Sequence, residues 1–297
     1  MVTGGFWKRG LRWLILGVVV VFLGKTLTSH WQEVRALEPQ PQIALVWGMS
    51  LGITLLAHSF NAWLWPGYFS LCRQPVCRRW AISIYLKTNL AKYLPGGIWH
   101  LYGRVQAGRA MGLGLAPLTL CALLEPLLIA LAALGLALWN APYPVLHIPG
   151  LLTVLVLIHP RCLNPLLAWA GRRRGVDTPL ALAHYPLGLL AGETLFVLLR
   201  ALGFLLILAG LMTVAAGQWP AIIGGFSLAY ALGLVVPGAP GGLGVFEAAA
   251  LLTLKDVANP GLLLGAVAAY RLLGTLAEIL AAGLALFIPP APPITDP

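Results

Sequence analysis

Runs of about 20 apolar residues recur along this chain, and each is long enough to cross the ~30 Å hydrocarbon core of a bilayer. No other feature limits the fold so strongly. A segment in lipid has no water to satisfy its backbone, so it must be helical or part of a closed barrel. Of the 297 residues, 59% are hydrophobic and only 9% are charged, too few to coat a soluble domain of this size. The expected fold is therefore all-α: a polytopic helical membrane protein with seven to eight transmembrane helices and glycine/proline-broken re-entrant elements. Spans are expected at about 11–29, 43–64, 114–138, 145–159, 187–212, 219–236 and 261–288. They form a single integral membrane domain over 1–290, with candidate repeat halves 1–160 and 161–290. A short Pro-rich tail occupies 291–297.

The net charge of +10 is placed by topology and does not indicate nucleic-acid binding. Lys8, Arg9 and Arg12 precede the first run. Arg73, Arg78, Arg79, Lys87, Lys92, Arg104 and Arg109 lie between the second and third, and Arg161, Arg172, Arg173 and Arg174 follow the fourth. Alternate connections are thus basic, which predicts a multi-pass protein of a bacterial-type cytoplasmic (inner) membrane with its N-terminus in the cytoplasm. Such loops also attract anionic lipid headgroups. No small-x-small cleavage site follows the first run near Thr26–His30, so it is expected to stay as a span. Cys72, Cys77, Cys121 and Cys162 match no common zinc spacing and read as small apolar filler.

Two similar stretches interrupt the apolar pattern: Leu94-Pro95-Gly96-Gly97-Ile98-Trp99 and Ala239-Pro240-Gly241-Gly242-Leu243-Gly244. Broken backbone survives at membrane depth only when buried in protein or lining a wet cavity. Paired breaks at matching places in two halves point to a transporter's binding site. Before the first break, 80–93 reads as a partly apolar helix that lies in the interface or dips into the membrane. After the second, Leu243–Leu254 is too short to span and fits a re-entrant half-helix, whose N-terminus would aim its positive end at an anion. Movement of an amphiphilic molecule is the function this pattern favours.

Ionisable groups inside spans are costly and mark interiors or cavities. Here they are Glu125, Glu193, Arg200, Arg271 and Glu278, with Glu247 just past the second break. Glu193 and Arg200 are seven residues apart, as are Arg271 and Glu278, too far for either pair to close on itself. Parallel packing of the fifth and last spans would pair Glu193 with Arg271 and Arg200 with Glu278, leaving the C-terminus outside. Arg200 and Arg271 suit an anionic headgroup, because guanidinium stays charged and binds phosphate bidentately. The glutamates Glu125, Glu193 and Glu278 are read as coupling or structural charges. His58 and His100 are candidate proton carriers, although a lone histidine more often satisfies a core hydrogen bond. No nucleophile, metal or nucleotide motif is evident. No cofactor and no enzymatic activity are expected.

Three stretches and one residue resemble the transmembrane (flippase-like) domain family of lysyl-phosphatidylglycerol synthases. They are Asn89–Arg104 (NLAKYLPGGIWHLYGR), Leu124-Glu125, Val236–Glu247 (VPGAPGGLGVFE), and Arg271 in the last span. The resemblance implies translocation of aminoacylated, other anionic or polyprenyl-linked lipids across the inner membrane. It implies membrane lipids as partners, with a membrane enzyme as a further candidate. Combined with the charge reading, it marks Asn89, Pro95, Gly96, Gly97, Arg104, Arg200, Pro240, Gly241, Gly242, Gly244, Glu247 and Arg271 as substrate-binding. Nothing here is similar to the soluble aminoacyl-transferring domain, so a stand-alone membrane member is expected. Pro126 follows Glu125 where the family often has charged residues. The alternative function is a non-catalytic subunit that docks or regulates a lipid-modifying or glycosyl-transferring enzyme.

Overall fold

A computed structural model of the chain describes residues 42–74, 76–94, 97–140, 144–173, 180–236, 240–242 and 244–289. The expected first span, the Pro-rich tail, Pro95 and Gly96 lie outside the described residues. The rest forms ten α-helices joined by short 3₁₀ turns, with no strand among the described residues. They are α1 (Ile43–Leu71), α2 (Arg78–Asn89), α3 (Trp99–Arg109), α4 (Leu115–Ala137), α5 (Pro144–Leu157), α6 (Pro160–Arg173), α7 (Leu187–Leu211), α8 (Trp219–Val235), α9 (Val245–Thr253) and α10 (Pro260–Leu284). Local chemistry sets the boundaries. The Asn259 side chain accepts the Leu262 N–H at 2.9 Å and Pro260 opens α10, a start signal legible in sequence.

Among the described residues, five helical stretches are long and apolar enough to cross a membrane: Ile43–Leu71, Leu115–Asn140, Leu187–Leu211, Ala216–Val235 and Pro260–Phe287. A sixth results if the pair Ile148–Leu157 and Pro160–Arg173, bent by 61°, counts as one. That is fewer than the seven to eight expected. Two of the differences have clear causes. The 11–29 run lies outside the described residues, and the expected 145–159 span is a helix of only 14 residues, Pro144–Leu157, too short to cross by itself.

The long helices α1 and α7 form the centre and run antiparallel. Trp47 donates to the Ile207 carbonyl at 3.4 Å, Ser50 to Gly203 at 2.7 Å, and Tyr68 to Glu193 at 2.6 Å. Glycines on α7 make this approach close: a Cβ on Gly192 would meet Leu64 at 2.6 Å, and one on Gly210 would meet Trp47 at 2.8 Å. Small residues bring membrane helices together in this way, since lipid provides no hydrophobic drive between them.

The element order is played twice. α1, α2, break, α3, α4 is followed, after α5 and α6, by α7, α8, break, α9, α10. Packing follows the same rule: α4 lies on α7 as α10 lies on α1, and α2 lies on α10 as α8 lies on α4. Because α1 and α7 are antiparallel, the second pass is upside down relative to the first, which is the form of an inverted repeat.

α7 and α10 also run antiparallel. Phe204 meets Tyr270 with ring centroids 5.7 Å apart, while Arg200, one turn earlier, reaches Glu278 at 3.8 Å. The expected parallel ladder is therefore not formed. Only its Arg200–Glu278 rung exists; Glu193 meets Tyr68, and Arg271 meets Glu247. The parallel arrangement failed because α9 turns back along α8, with Thr253 donating to Gly225 at 3.2 Å, and delivers α10 to the end where α7 finishes. This also removes the basis for placing the C-terminus outside.

Candidate functional site

Each short helix pair forms a hairpin whose tip is a glycine break. Tyr85 and Trp80 of α2 pack beside Trp65 of α1, so α2 retraces α1 towards its middle. There the 3₁₀ turn Leu90–Tyr93 presents Lys92 and Tyr93. From the other end, α8 and α9 bring Gly241 and Gly242 to Arg271, about 17 Å along α10 at ~1.5 Å per residue. The two tips touch half-way through the bundle. A Cβ on Gly241 would lie 3.1 Å from the Tyr93 ring, and Thr275 of α10 donates to the Tyr93 hydroxyl at 3.1 Å.

Only glycine fits the second tip. Gly241 and Gly242 have φ of 58° and 72°, in the left-handed region, and a Cβ on Gly242 would meet the Gly233 carbonyl oxygen at 2.8 Å. Arg271 clamps this backbone, donating to the carbonyls of Gly241 at 2.9 Å and Gly242 at 3.0 Å and pairing with Glu247. Glu247 in turn accepts the Gly244 N–H at 2.7 Å. The start of α9, expected to face an anion, is thus already capped by its own carboxylate. The first hairpin has a counterpart with the signs exchanged: Arg104 of α3 pairs with Glu125 of α4, which also accepts from Tyr85 at 2.8 Å.

Where the tips meet, one carboxylate gathers three basic groups. Glu278 lies 2.6 Å from Lys92, 3.1 Å from His58 Nε2 and 3.8 Å from Arg200. Arg200 Nη1 also contacts His58 Nε2, and its guanidinium sits 5.0 Å from the Tyr270 ring centroid and 5.7 Å from that of Tyr230. The Nε of Arg200 is buried and makes no hydrogen bond among the described residues. Burial pulls the Lys92 ammonium below the usual lysine range, against the opposing pull of Glu278. Beside it, half-buried His100 is pushed down to about 3 by burial and by the Arg104 and Lys92 cations.

A cavity of about 360 Å³ opens on this cluster. Its lining combines Lys92, Arg200 and Arg271 with the apolar Ile98, Leu101, Leu234, Val235 and Val236. Ile98 is 62% and Val235 63% exposed, so apolar side chains flank the opening. Around the cavity three cations face two carboxylates, Glu278 and Glu247, which leaves one positive charge in excess.

No protein-family model matches the chain, and no curated protein matches it.

Among residues singled out from sequence, Gly97, Arg200, Gly241, Gly242 and Arg271 line the cavity. Gly97 has φ of 67°, matching its tip role. Glu247 and Gly244 support the second tip from behind, and Pro240 belongs to its 3₁₀ turn. Asn89 and Arg104 are buried behind the first hairpin and do not line the cavity. Glu125 and Glu193 are buried to one side, while Glu278 holds the cluster together. Sequence reasoning missed Lys92 as a site residue, along with Tyr93, Tyr230, Tyr270, Gly233 and Gly274. Lys92, three residues before a Pro-Gly break, was the strongest available signal.

Proposed function

We propose that the protein is a lipid flippase of a bacterial-type inner membrane, a relative of the lysyl-phosphatidylglycerol synthase transmembrane family. It moves a lipid with an anionic headgroup, free or bearing an aminoacyl or polyprenyl group, between leaflets. The observation that carries this reading is the lining of the cavity. Cations and glycine backbone meet exposed apolar side chains from the start of α3 and the end of α8, an arrangement that matches an amphiphile. Opposed broken helices meeting at mid-depth are a transporter arrangement in which either half can rock against the other. Positive-inside placement of Arg73, Arg78, Arg161 and Arg172 sets the starts of α2 and α7 in the cytoplasm. The antiparallel course of α10 then returns the C-terminal end to that side too.

Leaflet exchange in proteoliposomes tests this. Purified protein is reconstituted with tail-labelled anionic, aminoacylated, zwitterionic or polyprenyl-phosphate lipids, and exchange is followed with a membrane-impermeant quencher. Anionic lipids should exchange above empty vesicles and faster than zwitterionic ones, and Arg200→Gln should slow them at least about tenfold, the loss of one charge-assisted contact. Folded protein that exchanges none of these lipids would instead support a regulatory subunit for a lipid-modifying enzyme.

A further inference from the structure

Glu193 is fully buried on α7 and makes no ion pair among the described residues. Its Oε1 accepts the Tyr68 hydroxyl at 2.6 Å, and its Oε2 has no hydrogen-bond partner among the described residues. The groups facing it from each packed helix offer little positive charge. α1 contributes Tyr68 and, further along, His58; α4 contributes Glu125; α8 contributes Tyr230; α10 contributes Glu278 at the level of Arg200. Arg104 and Tyr85 stand beyond Glu125 and are engaged with it. An isolated carboxylate in such a place is far costlier than the neutral acid.

From Glu193 a buried polar file leads to the cavity. Thr54, His58, Asn61, Trp65 and Tyr68 recur at helical spacing on one face of α1, and all are buried. Both amide atoms of Asn61 and the Trp65 indole N–H lack partners among the described residues. A buried polar group left unpaired is costly, so a file of them calls for an explanation. At the inner end, His58 Nε2 holds a lone pair towards the Arg200 N–H and lies 3.1 Å from the Glu278 carboxylate.

We propose that Glu193 and His58 form a proton relay that couples the headgroup site to the proton gradient, an inference that rests on the lipid-transport reading above. Glu193 holds a proton in this conformation. Released from Oε2 and carried past Asn61 by water, that proton is taken by His58 Nε2, and Glu193 is left as a carboxylate accepting from Tyr68. Once protonated, Nε2 is a donor and can no longer accept from Arg200; it turns to Glu278 instead. Glu278, now satisfied by imidazolium, loosens its hold on Lys92. One proton thus frees both cavity cations for an anionic headgroup, and its departure restores their internal pairing.

Two readouts on the full-length protein test the relay. Difference infrared spectroscopy across a pH titration of protein in lipid should show a protonated carboxylic-acid carbonyl band at neutral pH that is lost in Glu193→Gln. In proteoliposomes, an imposed pH gradient should bias the leaflet distribution of an anionic lipid for wild type. Glu193→Gln should still exchange the lipid but lose the bias, and Glu193→Asp should recover part of it. An unchanged infrared band, or a bias that survives in Glu193→Gln, overturns the proposal. If wild type exchanges no lipid, the transport reading fails, and the infrared band alone still decides whether Glu193 carries the proton.

Discussion

Removing the Glu278 carboxylate is the perturbation whose cost follows most directly from the structure. Glu278→Gln keeps the side-chain shape and deletes the one negative charge shared by Lys92, Arg200 and His58. At an effective dielectric of about 20, the lost attraction is on the order of 6 kcal/mol for Lys92 at 2.6 Å and 4 kcal/mol for Arg200 at 3.8 Å. Against this, the carboxylate no longer has to be desolvated, which returns several kcal/mol. Breaking a buried pair from one side leaves about 3–5 kcal/mol of net destabilisation. Lys92 is 23% exposed on its side chain, so the lower end of that range applies. Most of the loss comes from stranded cations rather than from a missing contact. Lys92→Met combined with Glu278→Gln should therefore be more stable than Glu278→Gln alone, by at least about 1 kcal/mol. Reversible unfolding in mixed micelles, with the two single variants and the double, measures this coupling. A Glu278→Gln variant within about 0.5 kcal/mol of wild type, or a double variant no better than the single, would refute the picture of one carboxylate neutralising buried cations.

Other parts of the account have checks of their own. Gly242→Ala should cost about 1–2 kcal/mol for its left-handed backbone and about 1–3 kcal/mol more for crowding the Gly233 carbonyl. Gly112→Ala, at φ of 84° with nothing within 4 Å, should show only the first part, so thermal unfolding of both variants separates strain from packing. The depressed His100 adds an acid dependence: folded protein keeps it neutral down to about 3, while the unfolded chain takes up a proton below about 6.5. Its contribution is thus complete above about pH 6.5 and shrinks as pH falls from there, by at most about 1.4 kcal/mol per unit. His100→Gln should flatten a plot of stability against pH in that window.

Much of the fold could be read from residue order, for reasons the structure makes plain. Hydropathy over 20 residues reports whether a helix can sit in lipid, and five expected spans are helices of that kind. The Pro-Gly-Gly breaks were legible because proline and glycine together interrupt a helix, and at the second one Gly241 and Gly242 take positive φ. Pairings between distant helices were not legible. The spacing of Glu193 and Arg200 shows that they share a face of α7, but nothing local says that Arg200 meets Glu278 from an antiparallel helix while Glu193 meets a tyrosine. Arg271 illustrates the same limit: a lone arginine in a span suggests a ligand, yet its donors hold the Gly241 and Gly242 carbonyls and Glu247. Residue order leaves Lys92 on a helix that lies in the interface or dips into the membrane, and only the hairpin geometry carries it inward to Glu278.

The central claim is that an anionic headgroup passes through the cavity between the two tips, and Gly274 gives the cleanest way to block it. Gly274 lines the cavity on α10, and a Cβ there would meet only Arg200, at an ordinary 3.9 Å. Leucine at this helical position is favourable to the backbone, removes no charge, and projects into the cavity. Leaflet exchange of a tail-labelled anionic lipid should be measured for wild type and Gly274→Leu, with thermal unfolding of both alongside. The account predicts a Gly274→Leu protein at least as stable as wild type whose exchange falls to the level of empty vesicles. Undiminished exchange by a folded Gly274→Leu protein would contradict passage through this cavity.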